Sequence, residues 1–363
     1  MGTGVYFNLQ VMRAVAAGLV AYYHLQAMLA GLYDSADVYF PAIGVDIFFV
    51  ISGFVMFISN PEMTKNAVPF ILLRLVRIVP LYWIATGVLV LFFLLGFRPS
   101  GLMALDAETL VRSLFFIQSE FENGRHDLIL VLGWTLIYEL FFYVVLALTF
   151  FMRSRVASFL AVLLVFAGCV GIGVLFPALP RGVAFFTRPI ILEFLFGAAL
   201  ALLVLAGRAR GVVLGRRAAG VAVACIILAS GLVLASELSA PGVPGASRVI
   251  VWGVPSLMIV AGLVGLEYAG YALKGRVALL LGAASYALYL FHPVIMQGVV
   301  KLFVWFTPVS GVAGVTLAAL SALAAAAIGA VLIHLTVETP ILQAGRRLVR
   351  QIDTILARAR FGT

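Results

Sequence analysis

Residues Leu9 to Ala30 read LQVMRAVAAGLVAYYHLQAMLA, an apolar run that nevertheless carries Arg13 and His24. About 20 apolar residues are enough to cross a bilayer as a helix. An ionisable side chain in hydrocarbon costs roughly 2.5 to 3.5 kcal/mol on insertion scales, so such residues face a bundle interior or a wet cavity. Helical rise puts about 16 Å between the two. With Arg13 near one membrane face, His24 lies past the midplane.

The rest of the chain repeats the pattern. Of 363 residues, 64% are hydrophobic and 11% charged, far from the roughly one quarter charged of a soluble domain. Only helices or closed barrels satisfy the backbone inside a bilayer, and unbroken runs such as Leu136 to Phe151 exclude the alternation of a barrel. The fold class is therefore an all-α polytopic membrane protein. About ten transmembrane helices are expected, near 9–30, 40–59, 79–97, 128–151, 156–177, 187–206, 218–236, 249–267, 277–301 and 310–337. The first lacks a basic segment before it and a small-residue cleavage site after it, so it reads as a retained helix. Residues 1–345 form one membrane domain and 346–363 a basic cytoplasmic tail.

The net charge of +9 does not point to nucleic acid. The lysines and arginines gather beside span ends, mostly in alternate loops and the tail, and this bias places both termini in the cytoplasm. Cys169 and Cys225 fall inside spans and read as small buried residues, with no metal site expected. The outer connection Arg98 to Asp127 has the mixed composition of a short helix, and the inner one runs from Pro61 to Pro80.

Threading alternate spans in opposite directions brings His24, Asp46, Glu139, Glu193 and His292 to comparable depth on five helices. A shared wet cavity hides them more cheaply than five separate sites. Each could also serve as interhelical glue. Histidine is the side chain that exchanges a proton near neutral pH, and a carboxylate such as Glu139 or Asp46 can orient it. Arg74 and Arg77 are three apart, on one face if helical. They read either as positive-inside anchors or as a fork for phosphates. His334 and Glu338, spaced i, i+4, read as a helix-stabilising pair.

These residues lie in an ordered set of motifs: Arg13-x10-His24, Gly44-Val-Asp46 through Ser52-Gly53-Phe54, Arg74-x-x-Arg77-x-x-Pro80-x-Tyr82-Trp83, Trp134-Thr-Leu-x-x-Glu139, and Ser285-Tyr286-x-Leu-Tyr289-Leu-x-His292-Pro293. Together they resemble the membrane-bound acyltransferase-3 family over nearly the whole chain, and the opening Leu9-Gln-Val-Met-Arg13 with Ile191-Leu-Glu193-Phe-Leu-Phe-Gly197 looks most like its exopolysaccharide O-acetyltransferases. Where many members have Asp-Gly-Leu-Arg, this chain has Gln10-Val11-Met12-Arg13. The resemblance implies an O-acetyltransferase of the bacterial cytoplasmic (inner) membrane. Acetyl-CoA would be the donor, with no permanently bound cofactor. The acceptor would be a hydroxyl on a surface or exported carbohydrate or a lipid-linked saccharide, and polysaccharide-export machinery a compatible partner. His24 is then the expected catalytic residue, with Glu139 and Asp46 setting its tautomer and charge. Arg13, Arg74 and Arg77 are expected on the coenzyme side, and Glu193, Ser285, Tyr286 and His292 complete the cavity. The competing expectation is a secondary transporter or lipid-linked sugar flippase, with the same carboxylates and histidines as a proton relay. It lacks the internal repeats common in that class.

Overall fold

The computed structural model describes residues 6–30, 37–59, 67–96, 105–120, 126–152, 154–306 and 311–361. Its helices are α1 (Phe7–Leu29), α2 (Gly44–Ile58), α3 (Ala67–Leu94), α4 (Ala107–Leu114), α5 (Gly133–Leu148), α6 (Arg155–Leu175), α7 (Arg181–Phe186), α8 (Glu193–Ala209), α9 (Arg216–Ser239), α10 (Val254–Tyr268), α11 (Arg276–Ala283), α12 (Ser285–Phe306), α13 (Gly311–Ile333) and α14 (Thr339–Phe361). A two-residue antiparallel ladder pairs β1 (Ser119–Glu120) with β2 (His126–Asp127). The chain is an all-α polytopic membrane protein. Among the described residues, eight helical runs are long and apolar enough to cross a membrane: 40–58, 67–94, 155–175, 181–209, 216–239, 249–268, 285–306 and 311–355. The other two expected spans fall on α5, apolar but 16 residues long, and on α1. At 23 residues α1 is long enough, but its polar side chains keep it out of that set.

Three boundaries differ from the sequence reading. The third helix begins at Ala67 and runs through Pro80, so Arg74 and Arg77 lie within it and not in a loop before it. Proline is tolerated in membrane helices because neighbouring groups satisfy the freed carbonyl. The ninth expected span is broken at Ala284 into α11 and α12. Residues 346–361, within the basic tail, continue the helix α14 that begins at Thr339. The first residues of the Pro61–Pro80 connection, and Arg98 at the start of the outer one, lie outside the described residues.

The chain divides into two units: residues 1–61 with 159–331, and residues 62–158 with 332–363. In the first, α2 packs on α8, α9 on α10, and α1 on α11 and α12. The α2–α8 crossing is backbone to backbone: a Cβ on Gly53 would collide with the Phe194 carbonyl, and one on Gly197 with the Val50 carbonyl. Small residues permit such close approach in membranes. The N-terminus of α1 is held by α10, where Glu267 accepts from the Phe7 and Asn8 N–H groups at 3.0 and 2.8 Å. A carboxylate is favourable at the positive end of a helix. The buried Asn8 amide donates to the Leu263 and Tyr271 carbonyls and accepts from the Leu273 N–H.

In the second unit α3 packs on α5 and α14, and the Tyr82-Trp83 dipeptide ties down the outer connection. Tyr82 Oη hydrogen-bonds Ser113, Trp83 Nε1 donates to the Leu114 carbonyl at 2.9 Å, and Ser113 Oγ accepts from the Ile129 N–H at 3.1 Å. The expected short helix is α4, capped by Asp106, whose carboxylate accepts from the Thr109 N–H at 2.6 Å. The backbone and hydroxyl of Thr109 hold that carboxyl below its ordinary range. His334 and Glu338 do pair, at 2.7 Å, across a π-helical turn between α13 and α14.

Candidate functional site

The first unit brings His24 and His292 together. His24 is half-buried on α1, and its Nδ1 lies 2.8 Å from the Val20 carbonyl one turn earlier. His292, fully buried on α12, points its Nε2 at the same Nδ1 from 3.3 Å. Among the described residues, no hydrogen bond involves His24 Nε2. Tyr23 stands edge-on to the His24 ring at 5.2 Å. A carbonyl can only accept, so Nδ1 carries the hydrogen and Nε2 keeps its lone pair. That arrangement is a base with its reactive nitrogen open.

Asp46 takes a different partner. In the first turn of α2 it is fully buried and gripped on both oxygens by Arg248, at 2.9 and 2.7 Å, the two-pronged geometry that guanidinium and carboxylate share. Arg248 also reaches the Ala42 carbonyl at 3.4 Å and stacks over Trp252 at 4.9 Å. Glu193, in the first turn of α8, is buried beside Asp46, and neither of its oxygens has a hydrogen-bond donor among the described residues. One guanidinium thus lies beside two carboxyl groups. The neighbour on the Nδ1 side of His24 is an imidazole, not the carboxylate of Asp46.

Other predicted residues occupy lesser positions. Arg13 bonds Gln10 Oε1 at 3.3 Å and stays about 16 Å along α1 from His24 by helical rise. Ser285, at the start of α12, has a buried hydroxyl with no partner among the described residues, and Tyr286 beside it is half-buried. Cys169 and Cys225 are free thiols.

The second unit gathers Arg74, Arg77 and Glu139. The Arg74 guanidinium lies over the rings of Phe70 and Tyr143, at 5.4 and 5.8 Å, and its Nε is buried without a hydrogen-bond partner among the described residues. The Tyr143 hydroxyl donates to Glu139, one turn earlier on α5. Arg77 and Arg346, the latter on α14, both lie within electrostatic range of Arg74. Three guanidinium groups with one carboxylate among them form a net-cationic cluster that suits an anion. Sequence reasoning missed Arg248, Tyr143 and Arg346 as members of these clusters. Tyr143 had a legible signal, four residues after Glu139. Arg248 had a weaker one, four before Trp252, and it reads as an ordinary flanking charge.

Residues 6–335 match the family described as an acyltransferase domain. The exopolysaccharide production protein ExoZ of Rhizobium meliloti (strain 1021) is 34% identical over 320 residues, spanning 84% of this chain and 90% of its own. No solved structure matches the chain.

Proposed function

The chain belongs to the acyltransferase-3 family, and on that premise we propose that it moves an acetyl or other short acyl group from acyl-CoA to a hydroxyl of an exported carbohydrate. The observation that carries the reading is the His24 ring, half-buried in a membrane helix with Nδ1 engaged and Nε2 open. In this mechanism Nε2 takes the proton of the acceptor hydroxyl as its oxygen attacks the thioester carbonyl carbon. The carbon–sulfur bond then breaks, and the proton passes from His24 to the departing CoA thiolate. General-base catalysis of this kind is worth about 10² to 10⁴ in rate.

Arg74, Arg77 and Arg346 supply the charge for the CoA phosphates, and Glu139, through Tyr143, is a positioning residue for that cluster. Asp46 serves through Arg248 as part of the scaffold. The carbohydrate acceptor, a polysaccharide or its lipid-linked precursor, is supported by the likeness to ExoZ. The bacterial inner membrane is supported by the family likeness, and the distribution of basic residues supports both termini being cytoplasmic. Purified protein in nanodiscs, given labelled acetyl-CoA and an oligosaccharide, tests the reading. We expect wild type to label the acceptor and His24→Ala, inserted normally, to lose about 10² to 10⁴ of that rate. Undiminished transfer would remove His24 from the chemistry. Wild-type protein that consumes no acyl-CoA would return the chain to the transporter class.

A further inference from the structure

We propose that His292 is the positioning residue of His24, a neutral hydrogen-bond acceptor that fixes its tautomer and takes up the hydrogen bond of the imidazolium formed during transfer. The inference rests on the reading of His24 as the base. It starts from the hydrogens. His292 Nδ1 lies 3.0 Å from the Leu288 carbonyl. The Leu288 carbonyl is an acceptor only, so the hydrogen of His292 sits on Nδ1 and its Nε2 is a bare lone pair. That lone pair faces His24 Nδ1 at 3.3 Å, while His24 Nδ1 is itself hydrogenated by the demand of the Val20 carbonyl at 2.8 Å. A single assignment of protons therefore satisfies all four atoms. His24 Nδ1–H is shared between Val20 and His292, and His24 Nε2 is left open. The opposite tautomer of either ring would set a lone pair against a carbonyl.

The ring planes are tilted by 46° with centroids 5.2 Å apart, which is the approach of an N–H to a nitrogen and not a stack. When His24 accepts a proton at Nε2, its Nδ1–H becomes a charged donor, and such bonds are roughly twice as strong as neutral ones. His292 then does for His24 what a carboxylate does in a serine-hydrolase triad, without bringing a second charge into the membrane. A fully buried imidazolium on His292 would be far more costly than one on the partly exposed His24. Among the described residues, the titratable groups against the pair are Tyr23 on α1 and Tyr289 on α12, and both are uncharged near neutral pH.

The test separates an acceptor from a packing residue. Glutamine carries an amide oxygen at about the reach of Nε2, asparagine reaches only as far as Nδ1, and phenylalanine fills the volume with no acceptor. We expect His292→Phe to lower kcat about tenfold to a hundredfold, the range of a hydrogen bond to a charged group, with the KM for acyl-CoA unchanged, and His292→Gln to recover most of the loss. Diethyl pyrocarbonate labels only the unprotonated imidazole. Labelling of His24, followed against pH by peptide mass spectrometry on purified protein, reads its protonation with no acyl donor present. Losing the acceptor should move the labelling midpoint, and the acid limb of kcat, to lower pH in His292→Phe, and His292→Gln should restore it. Equal midpoints and equal rates for the two variants would overturn the proposal. If His292→Phe fails to insert, His292→Asn against His292→Gln makes the same comparison. If wild type transfers no acyl group, the functional reading fails while the labelling still decides the role of His292.

Discussion

The two units handle charge in opposite ways. In the first, Arg248 is consumed by Asp46, and the histidines answer one another through neutral groups, so polarity there is directed inward. In the second, Arg74 is held by aromatic faces and accompanied by Arg77 and Arg346, which leaves cationic capacity for something outside the chain. A buried guanidinium bonded on both sides to a carboxylate is part of the architecture. One stacked on rings with an unbonded Nε has the chemistry to take an anion.

The largest expected effect breaks the first arrangement. Arg248→Met leaves Asp46 buried without its partner beside Glu193, and stripping one member from a buried ion pair is destabilising by about 3 to 5 kcal/mol. The check is thermal unfolding in detergent. Arg74→Met should leave unfolding within about 1 kcal/mol of wild type, as a residue outside such a network does. An equal loss of stability in both variants would erase the distinction between the units.

Next in size is the effect on the donor. Arg74→Met should raise the KM for acyl-CoA about tenfold to a hundredfold, the range for bonds to charged groups, with a smaller change in kcat. Arg74→Lys should recover only part, since an ammonium keeps the charge and loses the stacking and the fork. A smaller change is expected from Arg346→Ala, about twofold to fivefold in KM, as suits a charge acting at a distance through partial screening. Steady-state kinetics on the purified protein reads all three.

The smallest effect concerns the α4 cap. Because the native Asp106 carboxyl is held below its ordinary range by Thr109, its contribution to α4 is fully present above the unfolded value, about 3.9. It is lost as the pH falls through the lower native value. Amide exchange in α4 should therefore quicken on acidification, and Asp106→Asn, still a good cap, should remove that pH dependence.

Much of the fold was legible because bilayer thickness makes hydrophobic run length a direct ruler, and the ten expected spans all fall on helices. The start of α3 was not legible, because the stretch before Pro80 carries Arg74 and Arg77 and reads as a flanking connection, whereas the helix runs through Pro80 from Ala67. The candidate site was legible residue by residue and much less as contacts. Depth placed His24 and His292 at one level, but which side of each helix they occupy depends on how α1 and α12 rotate against each other. No local periodicity encodes that rotation. Asp46 was expected to face a histidine, yet its partner lies 202 positions later, at a span end where an arginine looks like ordinary topology. The caps at the start of α1 escaped for the same reason, Glu267 being 260 positions from Phe7.

Those distant partners bear on how the protein is made. The helix α1 is too polar to count among the strongly apolar spans, and most of what holds it comes from residues more than 200 positions later: Glu267, Leu273, the α11 backbone at Gly282 and His292. These contacts can form only once residues 263–292 are present, so a chain stopped short of them would leave α1 without its N-terminal cap and His24 without the His292 ring.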